Sequence, residues 1–133
     1  MVIVDGNNVM GQRVGWHRDK PAAQRRLREE VERFARRENE AHLLVFDAAP
    51  AGTPDQTAVE MDTSPLTTLY ARRGSSADEL ILERLYRHGD GDQVCVVTSD
   101  RALARQARVL GARVVSSGEF RRRLERGARS PEA

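Results

Sequence analysis

The apolar positions of this chain fall into two kinds of block that alternate along it. One kind is a short, nearly unbroken run: Val2-Ile3-Val4, the stretch from His42 to Asp47, and the stretch from Gln93 to Asp100. Runs of this length bounded by turn residues predict strands buried on both faces, as at the centre of a parallel sheet. The other kind is a stripe at helical spacing. Ala23, Leu27, Val31 and Phe34 recur at i, i+4, i+8 and i+11, which predicts a helix with one buried face. Asp19-Lys20-Pro21 supplies its start, and it should run to about Glu38.

The later blocks repeat the alternation. Thr67 to Arg72 predicts a third strand, closed by Arg73-Gly74. Ser76-Ala77-Asp78-Glu79 opens the next helix, with Ser76 and Glu79 at capping-box spacing. Asp78 shares its inward side with Leu82 and Leu85, whereas Glu79 shares a face with Glu83, itself placed to pair with Arg87. Arg101 to Leu110 predicts a helix with Leu103, Ala107 and Leu110 inward and Asp100 as its cap, stopped by Gly111. Ala112 to Val115 predicts a fifth strand. Ser116 and Glu119 cap a last helix anchored by Phe120 and Leu124 and made basic by Arg121, Arg122, Arg123 and Arg126. Ala48 to Pro65 shows no clear pattern, apart from a short edge strand expected from Ala58 to Met61. Trp16, in the loop from Met10 to Arg18, is expected to pack over the edge of the core.

Strands alternating with amphipathic helices predict an α/β fold with a parallel sheet of about five strands and right-handed crossovers. With the two most apolar strands, the first and fourth, adjacent at its centre, the strand order is 3-2-1-4-5. The chain direction then switches between Asp5 and Asp100, and ligands of such sheets bind outside the carboxyl ends of the strands at that point. Residues 1–127 are read as one domain and residues 128–133 as a short, frayed tail.

Composition adds limits. The chain has 133 residues and a net charge of +2, and every basic residue except Lys20 is Arg, a side chain suited to phosphates and to stacking on bases. Cys95 is the only cysteine, so no disulfide forms within the chain. No apolar run is long enough to cross a bilayer and nothing at the N-terminus resembles a signal peptide, so a cytoplasmic location is expected. His17 has no partner at zinc-ligand spacing.

The candidate chemistry lies in the acids. Asp5, Asp47 and Asp100 each end an apolar strand, and Asp78 sits in a helix's first turn. One such Asp alone shapes a turn or complements a helix dipole. Several gathered at one sheet edge repel by ~3 kcal/mol per pair at ~5 Å and an effective dielectric of about 20. A hard divalent cation, Mg²⁺ or Mn²⁺, relieves that repulsion and activates water for attack on a phosphate. Arg72, Arg73 and Arg101 flank the expected mouth and are expected to hold phosphates.

The motifs Asp5-Gly6-Asn7-Asn8-Val9-Met10-Gly11, Val45-Phe46-Asp47-Ala48, Ser76-Ala77-Asp78-Glu79 and Val97-Thr98-Ser99-Asp100 resemble the NYN domain, in particular its YacP-like branch, within the PIN-like ribonucleases. The resemblance spans roughly Val2 to Leu124. It implies a Rossmann-like three-layer sandwich and an endoribonuclease that cleaves single-stranded RNA with one or two Mg²⁺ or Mn²⁺ ions. It further implies Asp5, Asp78 and Asp100 as catalytic metal ligands, with Asp47 beside them, and support from Thr98, Ser99 and Asn8, the last orienting Asp5 or a metal-bound water. Two features depart from the family. Arg101-Ala102-Leu103 stands where many members carry a second Asp, which puts the number of metals in doubt. YacP-like members usually carry a longer C-terminal extension, which puts ribosome association in doubt. A non-catalytic RNA-binding module of the same fold is the alternative reading. A Rossmann-like nucleotide-binding protein is disfavoured, since Asp5-Gly6-Asn7-Asn8 lacks the glycine-rich phosphate cradle.

Overall fold

The computed structural model describes residues 1–47, 59–72, 74–89 and 93–129. Strand β1 (Val2–Asp5) leads directly into a short helix, α1 (Gly6–Met10). Helix α2 (Lys20–Glu38) starts where Asp19 accepts the Ala22 N–H and ends at Asn39, which adopts the left-handed conformation. Strand β2 (His42–Phe46) follows. Strands β3 (Val59–Thr63) and β4 (Leu66–Tyr70) form a hairpin. Helix α3 (Ala77–His88), strand β5 (Cys95–Val97), helix α4 (Arg101–Val109), strand β6 (Arg113–Val115) and helix α5 (Ser117–Arg129) complete the order.

These strands form one six-stranded sheet in the order β3-β4-β2-β1-β5-β6. The five parallel members, β4-β2-β1-β5-β6, have the neighbours that the hydrophobic pattern predicts. The wholly parallel, five-stranded expectation is nonetheless corrected: β3 adds a sixth strand, antiparallel to β4, so the sheet is mixed. The alternating burial of β3 fits an outer strand, with Glu60, Asp62 and Thr63 exposed. It is the edge strand expected from Ala58 to Met61, found at Val59–Thr63; the strand count and its antiparallel direction, which depend on its pairing with β4, are what the pattern left out.

Period-2 alternation divides the sheet's side chains between two cores. Ile3, Leu43, Val45, Leu69 and Val96 face α3 and α4, against Ile81, Leu85, Leu103 and Ala107. Val4, Leu44, Phe46, Tyr70 and Val97 face the other way, against Val9, Leu27, Val31, Phe120 and Leu124 of α1, α2 and α5. Helices therefore cover both faces, giving three layers around the sheet. Trp16 packs against the second core, with the Lys20 ammonium 5.6 Å from its ring.

Two side chains sit differently from their sequence reading. The buried stripe of α3 is Ala77, Ile81 and Leu85, while Leu82 is only partly buried. Arg121 does not join the exposed basic face of α5. It is buried, and with Arg13 it holds Glu30, at 3.0 and 3.3 Å. The short apolar spacing of α5 leaves no way to see this, because Glu30 lies on another helix. The expected frayed tail beyond residue 129 and most of the segment from Ala48 to Pro65 lie outside the described residues. Among the described residues, no helix is long and apolar enough to cross a membrane.

Candidate active site

Asp5 occupies the N-cap position of α1, yet its carboxylate makes no capping bond there. It is turned instead toward the end of β5. Its Oδ2 accepts a hydrogen bond from Thr98 Oγ1 at 2.9 Å, and the Thr98 oxygen in turn accepts the Asp100 N–H at 3.1 Å. One hydroxyl thus joins the ends of two adjacent strands. Asp5 is only 5% exposed. Burial pushes its pKa up from 3.8 to about 6, against the Thr98 bond, with the charges of Asp78 and Asp47 adding to the rise.

The other carboxylates reach the same place from separate elements. Asp100 caps α4, its Oδ1 accepting from the N–H groups of Ala102 and Leu103 at 2.9 and 3.1 Å. Asp47 follows β2, and its Oδ1 accepts the Ala77 N–H at 2.8 Å, tying the end of β2 to the start of α3. Asp78 lies in the first turn of α3, half-buried, where Ser76 caps the helix by accepting the Glu79 N–H. Burial, then the nearby charges of Asp100 and Asp47, raise the Asp78 pKa above its ordinary value. In Asp47 and Asp100 one oxygen is held by backbone N–H groups, so the second oxygen is the one with which a cation would be met.

Together Asp5, Asn7, Asn8, Asp47, Ser76, Asp78 and Asp100 line a pocket of about 380 Å³ at the carboxyl edge of β1, β2 and β5. All four aspartates singled out by the chain's strand ends and helix start are in it. Beside this pocket α1 lies hard against β2. A Cβ on Gly6 would stand 2.8 Å from the Phe46 ring and 2.8 Å from the Val45 carbonyl, so only glycine allows the turn after Asp5 to lie this close.

The asparagines have defined faces. Asn8 Oδ1 accepts the Ser99 N–H at 2.8 Å and a hydrogen bond from Ser117 Oγ. Asn7 Oδ1 accepts the Asp47 N–H at 2.8 Å. A backbone N–H can only donate, which fixes each amide's orientation: Asn8 Oδ1 accepts two bonds and Asn7 Oδ1 one, and each residue retains its NH₂ donors. The side chain of Asn8 therefore positions the β5 and α5 loops rather than Asp5, which instead has the Asn8 backbone N–H nearby. Ser99 supports this arrangement from both ends, its own Oγ accepting the Ser117 N–H at 3.0 Å.

The remaining candidates are placed elsewhere. Arg72 is exposed just beyond β4 and does not line the pocket. Arg73 lies outside the described residues. Arg101 lines a neighbouring groove with Thr98 and Ser99. Ser76 caps α3 as its spacing with Glu79 predicts, but its place in the lining of the pocket, and the roles of Asn7 and Ser117, lay outside the sequence reading. Asn7 and Ser76 read as ordinary turn and cap residues, and Ser117 meets Asn8 across 109 positions of sequence.

The donor set is all oxygen, which suits a hard cation. As they stand, no three His, Cys, Asp or Glu among the described residues form a set that closes on one ion. The residues fit a cation that keeps several of its waters, as Mg²⁺ does, and not one enclosed by protein ligands alone.

The chain matches the YacP-like NYN domain model over residues 2–132. Its fold is similar to that of two crystal structures of Rae1 (YacP) from Bacillus subtilis. One is a tryptophan-to-leucine mutant, with a TM-score of 0.76 and 21% identity, covering 96% of this chain and 76% of that one. The other has a TM-score of 0.75 and 21% identity, covering 97% of this chain and 75% of that one. No curated protein matches the chain.

Proposed function

Since this chain belongs to the YacP-like NYN domain family, we propose that it is a divalent-metal-dependent endoribonuclease acting on single-stranded RNA. The observation that carries the reading is the convergence of Asp5, Asp47, Asp78 and Asp100 on one pocket from separate elements. Asp47 and Asp100 also serve the fold through one oxygen each, but Asp5 makes no capping bond and Ser76, not Asp78, caps α3, so the fold alone does not account for all four meeting. The buried acid is held above the ordinary carboxylate range and its neighbours repel it, so the metal-free site costs stability that a cation would return.

In this reading Asp5, Asp78 and Asp100 hold Mg²⁺ or Mn²⁺, with Asp47 beside them. The bound cation supplies an activated water and neutralises charge at the phosphate. The chain's own contribution is orientation. Thr98 fixes the rotation of Asp5 and ties it to Asp100. Backbone N–H groups hold one oxygen each of Asp47 and Asp100. The NH₂ groups of Asn7 and Asn8 are the neutral donors in an acidic pocket, suited to a phosphate oxygen or a water. The expected phosphate contact by Arg101, which follows Asp100 directly and lines the neighbouring groove, is kept in this reading; Arg72 lies on the exposed chain after β4.

Calorimetric titration with Mn²⁺, paired with cleavage of single- and double-stranded RNA with and without EDTA, tests the proposal. Binding that is lost in Asp5→Asn, together with EDTA-sensitive cleavage of the single strands, is the expected result. The open spacing of the carboxylates favours a second reading, an RNA-binding module without activity. RNA binding with neither Mn²⁺ binding nor cleavage would establish that reading instead.

A further inference from the structure

A second concavity of about 690 Å³ adjoins the acidic pocket. It begins at Thr98 and Ser99, the same loop that carries Asp100, and runs along α4 to Val109 against Val114 and Ser116. Arg101, Arg105 and Arg108 line it. They stand at i, i+4 and i+7 and so share one face of α4, over about 10 Å of helix axis. All three are exposed, and none has a hydrogen-bond or ion-pair partner among the described residues. The arginines of α5 differ in this respect: Arg122, Arg123 and Arg126 all pair with Glu119. Helix stability does not account for Arg101 either, because a cation in the first turn opposes the helix dipole.

We propose that this groove is the track for the single-stranded RNA backbone on one side of the scissile phosphate, with Arg101, Arg105 and Arg108 on successive phosphates. The proposal rests on the ribonuclease reading and names where its substrate lies. Charge complementarity and continuity with the acidic pocket through Thr98 and Ser99 support it. β6 is the outer strand of the sheet, so the groove is open along its side and a strand can enter without threading. Its lining holds no aromatic ring. Stacking of bases on aromatic rings is therefore not on offer, and binding is set mainly by phosphates, which carry no sequence information. The track should accept different sequences almost equally.

The test is fluorescence anisotropy with short labelled oligouridylate and oligoadenylate single strands, in EDTA, across a salt series. The variant carries Arg101→Ala, Arg105→Ala and Arg108→Ala. A control carrying Arg25→Ala, Arg26→Ala and Arg33→Ala makes the same charge change on exposed positions of α2. The expected result is about a tenfold or larger loss of affinity at low salt in the α4 variant. Its slope of log affinity against log salt should fall by about 2, since each single-strand phosphate neutralised contributes about 0.7. The control should bind nearly as wild type, and the two oligomers should differ by no more than a few-fold. An unchanged slope in the α4 variant, an equal loss in the control, or equal competition by an acidic polyglutamate peptide would overturn the proposal. Failure of the catalytic reading looks different. A protein that never cleaves, yet loses RNA in the α4 variant, keeps the groove and loses the nuclease. One that cleaves with Mn²⁺ while the α4 variant binds as wild type keeps the nuclease and loses the groove.

Discussion

Replacing Asp5 by Asn should stabilise the metal-free protein at neutral pH and do nothing of the kind in acid. The buried carboxyl has its pKa raised from 3.8 to about 6. At about 1.4 kcal/mol for each tenfold change in proton affinity, this corresponds to about 3 kcal/mol. The sign follows from proton counting. Below pH ~4 Asp5 is protonated in the folded and the unfolded chain alike, and the penalty is absent. Between pH ~4 and ~6 the folded protein holds a proton that the unfolded chain has released, so stability falls as pH rises. Above pH ~6 both states are ionised and the whole penalty is present. Asn keeps an oxygen to accept from Thr98 but brings two amide hydrogens into a buried position, which costs about 1 kcal/mol. The net gain at pH 7.5 is about 2 kcal/mol, or roughly 8 °C in melting temperature for a domain of this size. Thermal unfolding of both proteins in EDTA from pH 4 to pH 8 measures it. The two curves should meet or cross near pH 4 and diverge toward pH 8. Mn²⁺ should then raise the melting temperature of the wild type and leave Asp5→Asn unmoved. An Asp5→Asn protein that is less stable than wild type at every pH would refute the account of Asp5 as a desolvated, repelled acid.

Three further outcomes test separate parts of the structure. Asp78→Asn should abolish Mn²⁺-dependent cleavage while RNA binding in EDTA persists, and Glu79→Gln, on the exposed side of α3, should not; a fully active Asp78→Asn enzyme removes Asp78 from the site. Gly6→Ala should cost about 1–3 kcal/mol by driving a Cβ onto Phe46 and the Val45 carbonyl, and urea unfolding with an unchanged midpoint would contradict that contact. Glu30→Gln should cost about 3 kcal/mol, because it leaves the buried Arg121 without its carboxylate; a loss under about 0.5 kcal/mol in the same assay would show that water or another group already serves that guanidinium.

Much of this architecture was present in local pattern. Strands β1, β2 and β5 are short apolar runs because both of their faces are covered, and a run of that kind needs no knowledge of its neighbours to be seen. The starts of α2, α3 and α4 were legible for the same reason: Asp19, Ser76 and Asp100 bond to N–H groups only two or three residues away. The repetition of Asp at strand ends was likewise enough to suggest which acids share an edge, once the order of the parallel strands followed from which runs were most apolar. What the sequence could not supply was any relation between distant residues that leaves no periodic trace. β3 was expected as a short edge strand, but its antiparallel pairing with β4 was not. Arg121 reads as one more surface cation until α2 brings Glu30 beside it. Asn8 reads as a turn residue until Ser99 and Ser117 arrive to occupy its oxygen, which makes its side chain a brace for the loops rather than a partner of Asp5 and leaves its NH₂ for a water or a phosphate oxygen. Local spacing determines how a segment meets its own backbone. Only packing in three dimensions decides which polar atom, among many of equal chemistry, is buried, spent, or left facing the pocket.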